Sequence, residues 1–183
     1  TEMWSYSTLK LDAKKESIRR VGINLAAPGD RVDEDGTLWL EHPKKSGSSP
    51  AVAVTATGPN RKMFLRHSSQ VKGDHPWVTA SGIEGTEKVT VNLGKKPAKA
   101  TKYTVRLYFL EPNETTAGKR VFNVALQGKP VLENLDVYKQ SGGSNRGLVR
   151  EFKGVKIDGT LSVTLKATAG LPVISGVEVV AEP

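Results

Sequence analysis

Residues 102–143, KYTVRLYFLEPNETTAGKRVFNVALQGKPVLENLDVYKQSGG, decide the fold class. Side chains of a strand alternate between two faces, so Tyr103, Val105, Leu107 and Phe109 share one face while Thr104, Arg106 and Tyr108 share the other. A second alternation follows, with Phe122, Val124 and Leu126 opposing Asn123, Ala125 and Gln127. Between the two, Pro112, Asn113, Thr115, Thr116, Gly118 and Lys119 extend neither ladder and form a loop too long for a tight hairpin. Two period-two segments joined this way are two strands connected by a polar loop.

The same pattern recurs outward along the chain. Strand character appears at 18–24, 37–41, 52–56, 63–67, 77–81, 88–93, 101–111, 120–127, 131–134, 148–157, 160–168 and 173–180, separated by turn chemistry such as Gly58-Pro59-Asn60 and Asp158-Gly159. Many short strands with regular turn signals predict an all-β, two-sheet antiparallel β-sandwich of jelly-roll type with little helix. A short helix over 10–20 is the one helical expectation, and 44–50, rich in Ser and Gly, reads as a loop. At 183 residues the chain suits one domain, 1–183, large enough to bury a substantial core. It starts without Met and stops just after a strand, which fits a domain excised from a larger exported protein. No apolar run approaches the length of a membrane span, and the absence of Cys excludes disulfides and thiolate metal sites.

The stretch Phe109-Leu110-Glu111, a loop, then Arg120-Val121-Phe122-Asn123-Val124 with Gly128 at the next turn resembles the signature region of malectin and the malectin-like domains. Upstream, Ile23 and Asn24 followed by Asp33, Asp35, Gly36, Trp39 and Leu40 resemble the family's opening strand and acidic loop. Downstream, the segments 148–152, 158–165 and 173–180 follow its last strands, so the resemblance spans residues 18–181. It implies a galactose-binding-like β-sandwich acting as a carbohydrate-binding module, secreted or periplasmic, of the bacterial type attached to a larger protein. The family's sugar site uses an aromatic pair just after the Phe-x-Glu strand and an acid near the last strand. Here 112–118 and Ala169-Gly170-Leu171-Pro172 stand in those places, while Arg66 and His67 fall where an Arg-aromatic pair would.

The sequence offers little catalytic chemistry. His42, His67 and His75 lie in separate segments, and no nucleophile elbow or phosphate-binding glycine loop is present. Paired carboxylates for sugar hydrolysis would have to come from Asp33, Asp35 or Glu111. The run from Asp30 to Gly36 misses EF-hand spacing, so any calcium would be structural, held by Asp33 or Asp35 with loop carbonyls; no other cofactor is implied.

The net charge of +8 arises almost wholly in residues 61–120, with twelve basic against five acidic side chains. Such charge either solvates sheet edges or meets an anionic partner, and no recognition helix or RNA-binding aromatic motif points to nucleic acid. A pyranose presents an apolar face that packs on aromatic rings and hydroxyls that need polar partners. The expected ligand-binding residues are therefore Arg66, His67, Trp77, Tyr108 and Glu111, with Trp77 at a loop–strand junction the best platform. The expected function is noncatalytic binding of a poly- or oligosaccharide, an acidic one included. The alternatives are a docking domain against a neighbouring catalytic domain of the parent protein, and a glycoside-processing enzyme.

Overall fold

The structure, a computed structural model, describes residues 17–45, 52–95 and 101–183. Its strands are β1 (Arg20–Leu25), β2 (Arg31–Val32), β3 (Leu38–His42), β4 (Val54–Thr57), β5 (Lys62–Leu65), β6 (Ser81–Glu84) and β7 (Lys88–Asn92), then β8 (Thr101–Leu110), β9 (Val121–Leu126), β10 (Lys129–Leu135), β11 (Gly147–Ile157), β12 (Thr160–Ala169), β13 (Val173–Ile174) and β14 (Gly176–Ala181). Two short helices, α1 (Pro76–Thr79) and α2 (Val137–Ser141), and a 3-10 turn, Ser68–Gln70, join them.

Two large sheets face each other, a six-stranded one ordered β11-β8-β14-β1-β3-β2 and a five-stranded one ordered β10-β9-β12-β7-β4. The two alternations of 102–143 supply one strand to each sheet, so their apolar faces meet across the core. Phe109 of β8 and Phe122 of β9, both fully buried, lie 5.9 Å apart with rings tilted by 55°. Val105 and Leu107 of β8 with Val124 and Leu126 of β9 continue the same interior. The all-β sandwich expectation is met, with two additions. The pair β1–β3 runs parallel, and a third sheet, β13-β6-β5, closes one flank.

Three local readings are corrected. The expected strand at 77–81 is a single helical turn followed by β6, because His75 takes the left-handed conformation (φ 49°) and Pro76 opens the turn at its first position. Proline is preorganised there, having no N–H to leave unpaired. The expected strand at 173–180 divides into β13 and β14. Between β10 and β11, α2 is capped by Asp136, whose carboxylate accepts from Lys139 N (3.0 Å), and stopped by Gly142 at φ 85°. Of the helix expected over 10–20, residues 10–16 lie outside the described residues; 17–19 form no helix and Arg20 already belongs to β1. Residues 46–50 of the expected loop also lie outside the described residues.

Candidate functional site

The outer face of the six-stranded sheet carries the first group of candidate residues. Register places Glu151, Arg106, Glu178, Gly22, Trp39 and Arg31 in one row across all six strands. Glycine at position 22 lets Trp39 lie flat over β1: a Cβ there would sit 2.3 Å from the indole, and one at Gly176 3.2 Å from it. Trp39 is thereby buried, and its Nε1 donates to Asp33 Oδ2 (2.9 Å) while Asp33 Oδ1 accepts from the amides of Asp35 (3.0 Å) and Thr37 (2.8 Å). Tyr108 packs edge-on to Trp39 at 5.1 Å, and α1 lowers Trp77 and Val78 onto the pair. Trp77 is half-buried, edge-on to Trp39 at 5.5 Å, with the exposed Arg31 guanidinium stacked 4.5 Å from its centroid. Such a stack is a cation–π contact that preorganises the guanidinium.

Beside this aromatic group the row is ionic. Arg106 donates to Glu178 Oε1 (2.6 Å) and Glu151 Oε2 (2.7 Å), and Thr37 Oγ1 donates to Glu178 Oε2 (2.7 Å). Partial burial works against the Arg106 cation, but these two carboxylates outweigh it and raise its pKa. Burial, then the Glu178 charge, pushes the Tyr108 phenol above its usual range, so it stays protonated.

A second group gathers where β8 ends. Glu111 Oε2 accepts from Arg120 Nε (2.5 Å), and its Oε1 accepts from the amides of Asn113 (3.0 Å) and Glu114 (2.9 Å). Arg120 Nη2 also donates to Glu84 Oε1 (2.5 Å), and Nη1 to the Leu171 carbonyl (2.7 Å). All three charged side chains are buried. Burial opposes the Arg120 cation, but Glu111 and then Glu84 prevail and raise its pKa. Asn113 extends the chain outward, its Nδ2 donating to Glu84 (3.0 Å) and its Oδ1 accepting from Arg66 Nη2 (3.3 Å), which also donates to the Pro112 carbonyl (3.0 Å). The loop after β8 is thus pinned from within by Glu111 and from outside by Arg66.

The expected ligand-binding residues consequently separate. The 3-10 turn packs beside α1, so Arg66 and His67 lie next to the helix that carries Trp77, on a ridge formed by the two elements: Arg66 N donates to the Ala80 carbonyl at the end of α1 (2.6 Å), and the exposed His67 caps the 3-10 turn, accepting from Ser69 N (3.3 Å). Tyr108 and Glu111 do not reach that surface, being 1 % and 0 % exposed. Their polar atoms face the protein because α1 covers Tyr108 and Arg120 occupies Glu111. Asp33 and Asp35 share a loop, but Asp33 directs both oxygens to the loop amides and to Trp39, and no group of three potential metal ligands forms among the described residues. The acids weighed for sugar hydrolysis sit in separate networks. Sequence reading missed Arg31, Glu178 and Glu84. The one signal for the first was Gly22 and Gly176, strand glycines that leave room for a large ring and hence for what stacks above it.

Among the described residues no helix is long and apolar enough to cross a membrane. Receptor-like protein 4 of Arabidopsis thaliana is 35% identical over 94 residues, 50% of this chain and 15% of that protein. A probable LRR receptor-like serine/threonine-protein kinase of the same plant is 22% identical over 190 residues, 87% of this chain and 18% of the kinase. The chain therefore spans less than a fifth of either relative. Among solved structures, the Bacteroides uniformis β-glucuronidase 2 aligns with TM-score 0.64 at 15% identity, over 90% of this chain and 18% of the enzyme. The ANX2 ectodomain of Arabidopsis thaliana aligns with TM-score 0.65 at 12% identity, over 88% of this chain and 49% of the ectodomain. At such identities the likeness is one of fold. The malectin domain model matches residues 29–180, all but the two ends of the sequence, and the chain belongs to the malectin domain family.

Proposed function

We propose that the chain is a noncatalytic carbohydrate-binding module that holds an oligo- or polysaccharide along the ridge from Arg66 to Trp77. The observation that carries this reading is Trp77 itself: a half-buried indole, fixed edge-on by Trp39 and paired with an exposed guanidinium. An immobilised ring costs little further entropy when a sugar face settles against it, and the exposed Arg31 stacked on it offers forked donors to hydroxyls or carboxylates. Acidic glycans are the favoured class, since Arg31 on Trp77 and Arg66 beside α1 both carry positive charge. The noncatalytic part is supported by the fate of the buried acids. Glu84, Glu111 and Glu178 each accept from a guanidinium, so these three buried carboxylates serve internal ion pairs.

The module works outside the cytoplasm as one part of a longer protein, a reading supported by the ectodomain match and by the small fraction of each relative that the chain spans. A glycan microarray probed with the parent chain and with Trp77→Ala and Arg66→Ala tests the proposal. The parent is expected to bind a defined subset of glycans, Trp77→Ala to lose at least about tenfold in affinity, and Arg66→Ala to weaken binding without lowering stability comparably. A parent that binds no glycan overturns it in favour of a docking domain.

A further inference from the structure

Among the described residues, the third sheet has an edge that no other strand covers: strand β5 pairs only with β6 and ends the order β13-β6-β5. Which of its backbone groups face outward follows from the ladder. Arg66 N donates to Ala80 O, and on the other side of β6 Gly85 N donates to Pro172 O. Direction alternates residue by residue along an antiparallel ladder, so Phe64 and Lys62 bond to β6 and the N–H and C=O of Met63 and Leu65 point to the free edge. Their side chains are exposed as well, Met63 by 50% and Leu65 by 55%, the two most exposed large apolar side chains among the described residues. Basic residues flank them: Arg61 and Lys62 on one side, Arg66 on the other.

We propose that β5 is a docking edge for an extended acidic–apolar peptide segment that adds as a further strand to the third sheet. Both N–H groups and the Met63 carbonyl supply the ladder, the Leu65 carbonyl joining once Arg66 Nη1, which reaches it at 3.4 Å, turns to the incoming carboxylate, and the two side chains receive apolar residues directly opposite. Carboxylates of the incoming strand meet Lys62 and Arg66, one residue outside each apolar contact. The positive flanks disfavour a second copy of β5 in the same place, because like charges opposite one another repel.

The probe is a capped Ser-Glu-Val-Thr-Val-Glu-Ser peptide, whose pattern reads the same in either direction, added to the full chain while amide NMR signals are followed. Binding is expected to shift the Met63 and Leu65 amides and slow their hydrogen exchange. Replacing both glutamates of the peptide by lysine is expected to weaken binding at least about tenfold. Leu65→Pro is expected to abolish it while leaving the rest of the spectrum unchanged, because proline is tolerated on an edge strand whose N–H faces solvent. The proposal is overturned if the two amides do not respond at millimolar peptide, or if the lysine peptide binds equally well. It is also overturned if Leu65→Pro binds like the parent, or if the parent chain dimerises through β5.

Discussion

Replacing Arg120 by Met isolates what the family's signature residues do in this fold. The guanidinium neutralises Glu111 and Glu84 in a site from which water is excluded and also holds the Leu171 carbonyl. Met fills a similar volume with no charge, so the variant leaves two buried carboxylates facing each other without a cation. Breaking a buried pair from one side costs about 3 to 5 kcal/mol, far more than an exposed ion pair contributes. For a chain of this size that corresponds to a fall in melting temperature on the order of 10 °C. Urea unfolding followed by tryptophan fluorescence reads the difference. A double-mutant cycle sharpens it: Glu84→Gln is expected to destabilise the parent, yet to cost less, or to stabilise, when Arg120 is already Met, since it then removes an unpaired charge. A loss below about 1 kcal/mol for Arg120→Met, or additive effects in the cycle, would refute the reasoning that this cluster holds the two loops together.

Two other perturbations follow from the geometry. Gly22→Ala drives a methyl into the Trp39 indole, which rests on β1 and is locked by Asp33, so a loss of about 1 to 3 kcal/mol with an altered near-ultraviolet dichroism of the displaced ring is expected. Burial, and then the Arg61 charge, hold His42 below its ordinary pKa of 6.5, so the fold favours the neutral ring. The stability this contributes is complete above about pH 6.5 and declines below it, where the unfolded chain takes up the proton first. Urea midpoints measured across that range should fall on acidification in the parent and fall less in His42→Gln.

How far the sequence was legible depended on whether a signal was local. The strands of 102–143 were readable because alternation is a property of neighbours, and Phe122 lies fully buried on the face that alternation assigned to it. Trp77-Val78-Thr79 misled because β-branched residues after a tryptophan have strand character, whereas His75 and Pro76 set the backbone into a turn of helix. Tyr108 stood on the polar face of β8, and only the fold shows α1 covering that face. Glu111 was legible as a signature position, but its partner Arg120 is nine residues away, and Arg120's other partner, Glu84, is thirty-six. No period or motif links such positions. The charge excess of the middle third was visible while its disposition was not: Arg106 and Arg120 prove to be internal counter-ions, and Arg66 a brace for the loop after β8.

Carbohydrate binding on the ridge is tested most directly by titrating the parent chain with the strongest oligosaccharide from the array while following the indole N–H signals in the amide spectrum. The Trp77 indole and the His67 and Arg66 resonances should move together in one saturable process. Trp77→Ala should abolish that process while losing only about 1 to 2 kcal/mol of stability, the sum of an aromatic contact and a cation–π stack. Saturable binding that leaves Trp77 unmoved and persists in Trp77→Ala would place the sugar elsewhere on the sandwich and contradict the account.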